Sequence, residues 1–251
     1  MSALHVLRAG RGPTLLLLHG IGSSATSWTR QLERLGRDFS CIAPDLPGYG
    51  DSPEPTGAGL PAIVEAVADV LDGRPAHVAG VSFGALTAIA LARLRPELVR
   101  SLVLADATLG RADLPEDERA RWLQGRETLA SDLAANSVER AAVIAGPGAV
   151  REVIEEIASH MRRARTTGYM AVARAIADTD ARPWLAGLAQ PALVLCGEDD
   201  QVTGMAVSRA LAAGLPHARM QSIAGAGHAP HVEQPDRFAE IVREFLAAQA
   251  A

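Results

Sequence analysis

Three residues of this chain, a serine, an aspartate and a histidine, have the types and the order that nucleophilic chemistry needs. Ser82 stands in Gly80-Val81-Ser82-Phe83-Gly84, between the apolar run Ala76–Val81 and the helix-like run Phe83–Leu94. In so tight a strand-to-helix turn, only glycine fits on either side of a strained serine. The turn lifts the hydroxyl above the sheet and aims the helix N-terminus at it. The N–H of Phe83, next in the chain, can then stabilise a developing oxyanion. A serine hydroxyl needs a base, and the base needs an orienting acid. His228 lies in the glycine-framed stretch Gly225-Ala226-Gly227-His228-Ala229-Pro230, and Asp200 closes Gly197-Glu198-Asp199-Asp200 directly after the run Ala192–Cys196. Together they predict acyl transfer through Ser82, with His228 as base and Asp200 as orienting acid.

Each of these residues follows a short, nearly continuous apolar run, and those runs read as strands covered on both faces. Thr14–His19, Ser40–Asp45, Ala76–Val81, Leu98–Asp106, Ala192–Cys196 and Ala218–Ile223 are the predicted strands. Helical periodicity marks Ser27–Leu35, Pro61–Leu71, Phe83–Leu94, Met205–Ala213 and Pro235–Ala248, two of them opening on a proline, which a first helical turn tolerates. Strand–helix alternation on this scale predicts an α/β fold with a mostly parallel central sheet flanked by helices. The rhythm breaks between 108 and 188. Helix-like segments Pro115–Ala135, Ala149–Arg165 and Gly168–Asp178 follow one another there without a strand, with Gly146-Pro147-Gly148 between the first two. The expected organisation is a core of residues 1–107 and 189–251 with a helical lid inserted at 108–188, over the strand ends where ligands of open α/β sheets bind.

Composition excludes several function classes. All 24 basic residues are arginine. Without lysine there is neither Schiff-base chemistry nor a Walker A loop, so pyridoxal phosphate enzymes and P-loop ATPases are ruled out. A net charge of −5 with no block of like charges gives no footprint for nucleic acid. Cys41 and Cys196 sit in apolar runs and read as buried free thiols. No signal-peptide layout opens the chain, and no apolar stretch approaches the roughly 20 residues that span a bilayer. A soluble cytoplasmic protein without cofactor or metal is expected, its oligomeric state unread.

The motifs resemble those of the α/β-hydrolase superfamily over nearly the whole length. Leu17-Leu18-His19-Gly20-Ile21-Gly22 is similar to the family's oxyanion loop, and Asp45 to Ser52 to its D-x-x-G-x-G-x-S loop. Gly197 to Asp200 resembles G-x-x-D, and Gly227 to Pro235 resembles G-H-x-P-x-x-E-x-P. The order Ser82, Asp200, His228 is that fold's order, unlike those of the chymotrypsin and subtilisin types. The resemblance implies a second oxyanion donor, the N–H of Ile21, beside that of Phe83. It favours Asp200 over Asp199, and leaves Asp106, at the end of the preceding strand, as the fallback acid. Two departures stand out. Only eighteen residues precede His19, too few for the usual opening hairpin, so the first strand is expected to be lost or vestigial. Ala85 replaces a common second glycine.

Other side chains invite sharper and blander readings. Aromatics are few, which makes Trp28 and Trp122 candidates for lining a substrate pocket, whereas Trp184 reads as packing at the base of the lid. His19 is expected to shape its loop. His231 makes an H-x-x-H pair with His228 but lacks a third metal ligand. His5, His77, His160 and His217 read as surface or strand-edge residues, and Asp45 and Asp51 as loop-holding acids. Arg162, Arg163 and Arg165 form either a solvated helix face or a site for a substrate carboxylate.

The expected function is hydrolysis of a small-molecule carboxylic ester or lactone, with the branch resemblance nearest to the 3-oxoadipate enol-lactonase and carboxylesterase members. The alternatives are a C–C bond hydrolase of the meta-cleavage type, against which Ala229 after the histidine speaks, and a non-hydrolytic lyase or ligand receptor on the same fold.

Overall fold

The structure, a computed structural model describing residues 3–249, is organised around a seven-stranded sheet. Its strands are β1 (Val6–Ala9), β2 (Thr14–Leu18), β3 (Ser40–Pro44), β4 (Ala76–Val81), β5 (Val99–Ala105), β6 (Ala192–Gly197) and β7 (Ala218–Ile223). They lie in the order β1-β3-β2-β4-β5-β6-β7. Strand β1 runs antiparallel to β3, and every other pairing is parallel. The family resemblance leads one to expect a reduced opening hairpin. What stands there is the single short edge strand β1, which periodicity does not reveal because it spans only Val-Leu-Arg-Ala and none of its residues is fully buried.

The parallel strands are apolar at successive positions because both faces of the sheet are covered. Leu16, Leu18, Val78, Leu102, Leu104 and Val194 pack on one side, while Leu15, Leu17, Ala79, Val103, Leu193 and Leu195 pack on the other. Leu15 to Leu18 are all completely buried. Burying each such leucine contributes about 1.5–3 kcal/mol, so no polar residue competes for either face of β2. The first core contains α2 (Gly59–Asp69) and α3 (Phe83–Leu94), and the second holds α1 (Thr29–Leu35) and, near the chain's end, Pro235–Ala247. Helix α2 begins before Pro61, which therefore lies in the first turn, where a missing N–H forfeits no intrahelical bond. Cys41 and Cys196 are free and buried, and burial pushes both thiols up to about 12.

Four helices lie between β5 and β6: α4 (Glu116–Ala130), α5 (Ser137–Ile144), α6 (Arg151–Met161) and α7 (Thr166–Ala177). Helix α5 is shorter than the reach of a periodicity argument. Helix α4 buries only Ala130; acids in its first turn complement the helix dipole, and an Asp117–Arg121 pair one turn apart supports its exposed face. Helices α8 (Gly204–Gly214), α9 (Pro230–Glu233) and α10 (Pro235–Ala247) complete the chain. Among the described residues, no helix is long and apolar enough to cross a membrane.

Candidate active site

Register explains why the chemistry gathers where it does. Leu18 pairs with Gly80, and Val81 with Ala105, so the loops leaving β2, β4 and β5 emerge level at one edge of the sheet. Between β4 and α3 the chain reverses at Ser82, whose φ of 57° and ψ of −115° are unfavourable for a residue with a Cβ. Such a conformation costs on the order of 1–3 kcal/mol and persists only where the surroundings impose it. Here glycine imposes it. A Cβ on Gly84 would collide with the carbonyl oxygen of Leu18, and one on Gly80 with the backbone of Gly84. Ala85 is fully buried without disturbing this turn.

The β6 and β7 ends supply the other two groups. His228 Nδ1 lies 3.0 Å from Asp200 Oδ1, with both residues buried. An imidazole that gives its Nδ1 proton to a carboxylate presents Nε2 as the acceptor, the form a general base requires. Asp200 is itself held: Oδ1 accepts from the Val202 N–H at 2.8 Å, and Oδ2 from the Thr203 hydroxyl at 2.7 Å and the Gly204 N–H at 3.0 Å. Burial pushes its carboxyl up, but the bond and charge of His228, with those from Thr203 and Val202, outweigh this and hold it well below the usual carboxylate range. The fallback acid occupies a different station. Asp106 is fully buried, bonds the Gly197 N–H through Oδ1 at 2.9 Å, and has no partner for Oδ2. Burial, and then the charge of Asp200, raise it well above the ordinary carboxylate range. Asp199 is exposed.

Two loops position the backbone donors. A Cβ on Gly20 would stand 3.2 Å from that of Ser82, which brings the Gly20–Ile21 peptide alongside the serine, and Ile21 lines the same cavity as Ser82. Phe83 opens α3, where a first-turn N–H has no intrahelical acceptor. Its ring is buried in the core, so only its backbone can serve the site. His19 holds the first loop: Nε2 accepts from the Leu46 N–H at 3.0 Å, which makes Nδ1 the proton carrier, donating to the Gly20 carbonyl at 2.9 Å. Asp45 accepts from the Ala25 N–H at 2.7 Å, the His5 imidazole at 2.8 Å and the Asp51 N–H at 3.2 Å, whereas the Asp51 side chain reaches Arg163.

Ser82 and His228 face a narrow cavity with about 70 Å³ of free volume. No direct hydrogen bond joins the two among the described residues, a common condition in ligand-free sites. The inserted helices close the far wall with Arg126, Arg140, Ile144, Ile157, Met161 and Tyr169. A larger groove of about 510 Å³ lies along β1 and α2, lined by Val6, Ile42 and Ala66 among others; it contains neither Ser82 nor His228.

Two further histidines line the Ser82 cavity. Both ring nitrogens of His231 are buried without a partner, and its ring tilts against Trp28 at 4.5 Å; His160 reaches the Thr26 hydroxyl through Nδ1 at 3.0 Å. Burial, with the neighbouring histidines and arginines, drives His231 down to about 3 and His160 down to about 4. These depressed values mean that, below the unfolded-state value of 6.5, the unfolded chain takes up protons the folded chain refuses. Each histidine therefore removes about 1.4 kcal/mol of stability per pH unit as pH falls from 6.5 toward its folded value, and removes none above 6.5. Buried Asp106 contributes the opposite slope above its unfolded value of 3.8. Replacing His231 by phenylalanine is expected to flatten the dependence of unfolding free energy on pH by about 1.4 kcal/mol per unit between pH 6.5 and 4.5. Urea titrations at several pH values measure it; parallel curves for the two proteins refute the assignment.

Several residues singled out in the sequence stand elsewhere. Trp28 does not line the cavity. It is fully buried between His231 and Phe238, consumed by the core. Trp122 is also off the lining; the guanidinium groups of Arg111 and Arg126 lie over its indole, 4.9 and 5.0 Å from the ring centre. Trp184 packs beneath Arg93. Arg162, Arg163 and Arg165 do not line the cavity; acids claim them, Glu155 of α6 for Arg162, and Asp51 and Glu54 of the loop after β3 for the other two. Arg165 also donates to the carbonyls of Gly50 and Ser52, pinning α7 to the loop after β3. Arg126, Arg140, His160 and Tyr169 are the cavity residues that sequence reasoning missed, since helix register alone does not say which side of an inserted helix turns inward.

Comparison with known proteins places this geometry in context. A family model described as the alpha/beta hydrolase fold matches residues 13–235. A pimeloyl-[acyl-carrier protein] methyl ester esterase of Xanthomonas campestris pv. campestris (strain B100) is 33% identical over 259 residues, covering 98% of this chain and 99% of that protein. Among solved structures, a thermophilic esterase from Thermogutta terrifontis with malate bound superposes with a TM-score of 0.91 at 27% identity, over 99% of this chain and 94% of that one. The enol-lactonase from Burkholderia xenovorans LB400 shares the fold, with a TM-score of 0.85 at 24% identity, over 97% of this chain and 96% of its own.

Proposed function

The chain belongs to the α/β-hydrolase fold family and is an ester-hydrolysing member of it; from that premise we propose that it cleaves a small carboxylic ester through an acyl-enzyme on Ser82. The observation that carries this reading is the 3.0 Å contact between His228 Nδ1 and Asp200, which leaves Nε2 as a proton acceptor in the cavity that also holds Ser82. Ser82 Oγ attacks the ester carbonyl while His228 takes its proton. The carbonyl oxygen becomes an oxyanion, received by the N–H groups of Ile21 and Phe83. His228 returns the proton to the departing alcohol, then activates the water that releases the acid and restores Ser82. Asp200 stays ionised throughout, fixing the imidazole and favouring its charged form.

The helices within 108–188 act as the lid of this site, and their side chains set what fits. The Xanthomonas relative is named for a methyl ester on an acyl chain. A methanol-sized leaving group suits so narrow a cavity, so a methyl ester of a linear acyl chain is the substrate class to try first, with lactones second.

A fluorophosphonate probe tests the nucleophile. Intact protein should gain one adduct, mapped by peptide mass spectrometry to Ser82, because only there does a base share the cavity with the oxyanion donors. An adduct that persists in Ser82→Ala would show that the nucleophile lies elsewhere.

A further inference from the structure

Two positive charges face Ser82 from the lid without an acid to balance them. Arg126 of α4 and Arg140 of α5 both line the cavity. Among the described residues no carboxylate comes within ion-pair distance of either, although thirteen other arginine–acid contacts occur. Arg126 Nε is buried with no hydrogen-bond partner, and its Nη1 reaches only the Tyr169 hydroxyl, at 3.5 Å. Placing two like charges side by side in a half-buried pocket is costly unless something compensates. The like charge of Arg126, after burial itself, indeed holds Arg140 below its usual value.

The protein maintains this arrangement with dedicated packing. The guanidinium groups of Arg111 and Arg126 both lie over the Trp122 indole, and a guanidinium held against an indole ring is both stabilised and aimed. That gives Trp122 a role one step behind the pocket wall. A planar fork with an open edge, next to a second fork, is the geometry that grips a carboxylate through paired charge-assisted hydrogen bonds.

We propose that Arg126 and Arg140 form a carboxylate-binding subsite, so that the ester this protein prefers carries a free carboxylate at the end remote from the scissile bond. The inference deepens the serine-esterase reading above and rests on it for the reaction, though not for the binding. A carboxylate seated there fills the unbonded edge of Arg126, neutralises the repulsion between the two arginines, and holds the ester carbonyl over Ser82. The lid thereby selects charge while the core performs the cleavage.

The test compares two activated esters of equal length: 4-nitrophenyl hydrogen glutarate, which carries the carboxylate, and 4-nitrophenyl pentanoate, which does not. The natural protein should favour the glutarate ester in kcat/KM. Arg126→Gln and Arg140→Gln should each lower kcat/KM for that ester roughly 10- to 150-fold and leave the neutral ester within about threefold, which also reports that the variants are folded. Equal losses on both esters, or no preference in the natural protein, would overturn the subsite. Calorimetry with free glutarate separates this proposal from the esterase reading. Binding that weakens in both variants sustains the subsite even if neither ester is cleaved, and absence of binding sinks it. Inorganic phosphate binding as tightly as glutarate would assign the arginines to a phosphate group instead and overturn the carboxylate.

Discussion

Replacing Ser82 by alanine, or His228 by alanine, is expected to lower kcat by roughly 10⁴–10⁶-fold, the scale on which serine triads fail as a unit. The two losses should be nearly equal, and the double variant should be scarcely worse than either single one, because nucleophile and base are useless without each other. What remains is the contribution of the oxyanion donors and of binding, which neither substitution touches. The fold should survive both changes. The Ser82 turn is imposed by contacts of Gly80 and Gly84 with neighbouring backbone, not by the serine hydroxyl. Burst and steady-state kinetics on a 4-nitrophenyl ester, with circular dichroism as the control, measure this. Multiplicative losses in the double variant would mean that Ser82 and His228 act in separate steps.

The second large effect distinguishes two buried acids. The carboxyl oxygens of Asp106 and Asp200 lie, with Cys196 Sγ, within 4.8 Å of one another, so position alone does not divide their work. Their partners do. Asp200 bonds His228, which favours its ionised form, whereas Asp106 accepts from the Gly197 N–H and burial favours its protonated form. Asp200→Asn removes the charge that favours the imidazolium and offers an amide that can invert the imidazole tautomer; a fall in kcat of about 10⁴ is expected. Asp106→Asn keeps an oxygen for the Gly197 N–H and leaves the Asp200–His228 bond in place, so kcat should stay within a few-fold. Asp199→Asn, on the exposed side of the loop, should cost little. A reversal, with Asp106 the sensitive residue, would transfer the orienting role to the end of β5.

These acids also illustrate what sequence could and could not disclose. Ser82, Asp200 and His228 stand out as candidates in the sequence because each follows a strand that reveals itself locally: an apolar run covered on both faces looks the same whatever surrounds it. Parallel strands then bring such ends together almost by necessity. The inserted helices offer no such guide. Helix α4 is mostly polar and shows no clear apolar stripe, so Arg126 reads like any solvated residue. Only the packed structure shows that Trp122 aims it inward. Arg162, Arg163 and Arg165, which sequence leaves between a solvated face and a carboxylate site, pair with Glu155, Asp51 and Glu54 from other turns or loops. Trp28 misled for a third reason. Scarcity of aromatics suggested a pocket, but a core needs large side chains too, and Trp28 went there. The short β1, with its half-buried residues, lacked the run that made the other strands visible.

Glu233 accepts from the N–H groups of Gly227 and Ala229, on either side of His228, and also from that of Gly146 at the end of the inserted helix α5. His228 N–H in turn donates to the carbonyl of Ile144 at 2.8 Å. The seam between the inserted helices and the sheet therefore runs through His228, the proposed base. Recombination between relatives, natural or engineered, usually treats an insertion as a cassette that alters acceptance and leaves turnover to the host. In this protein a transplanted 108–188 segment must bring a backbone that meets Glu233 and His228 at the same places, or the graft will bind its new substrate and turn it over poorly. Chimeras that keep residues 144–146 from the host and exchange the rest have the best prospect of inheriting specificity without forfeiting rate.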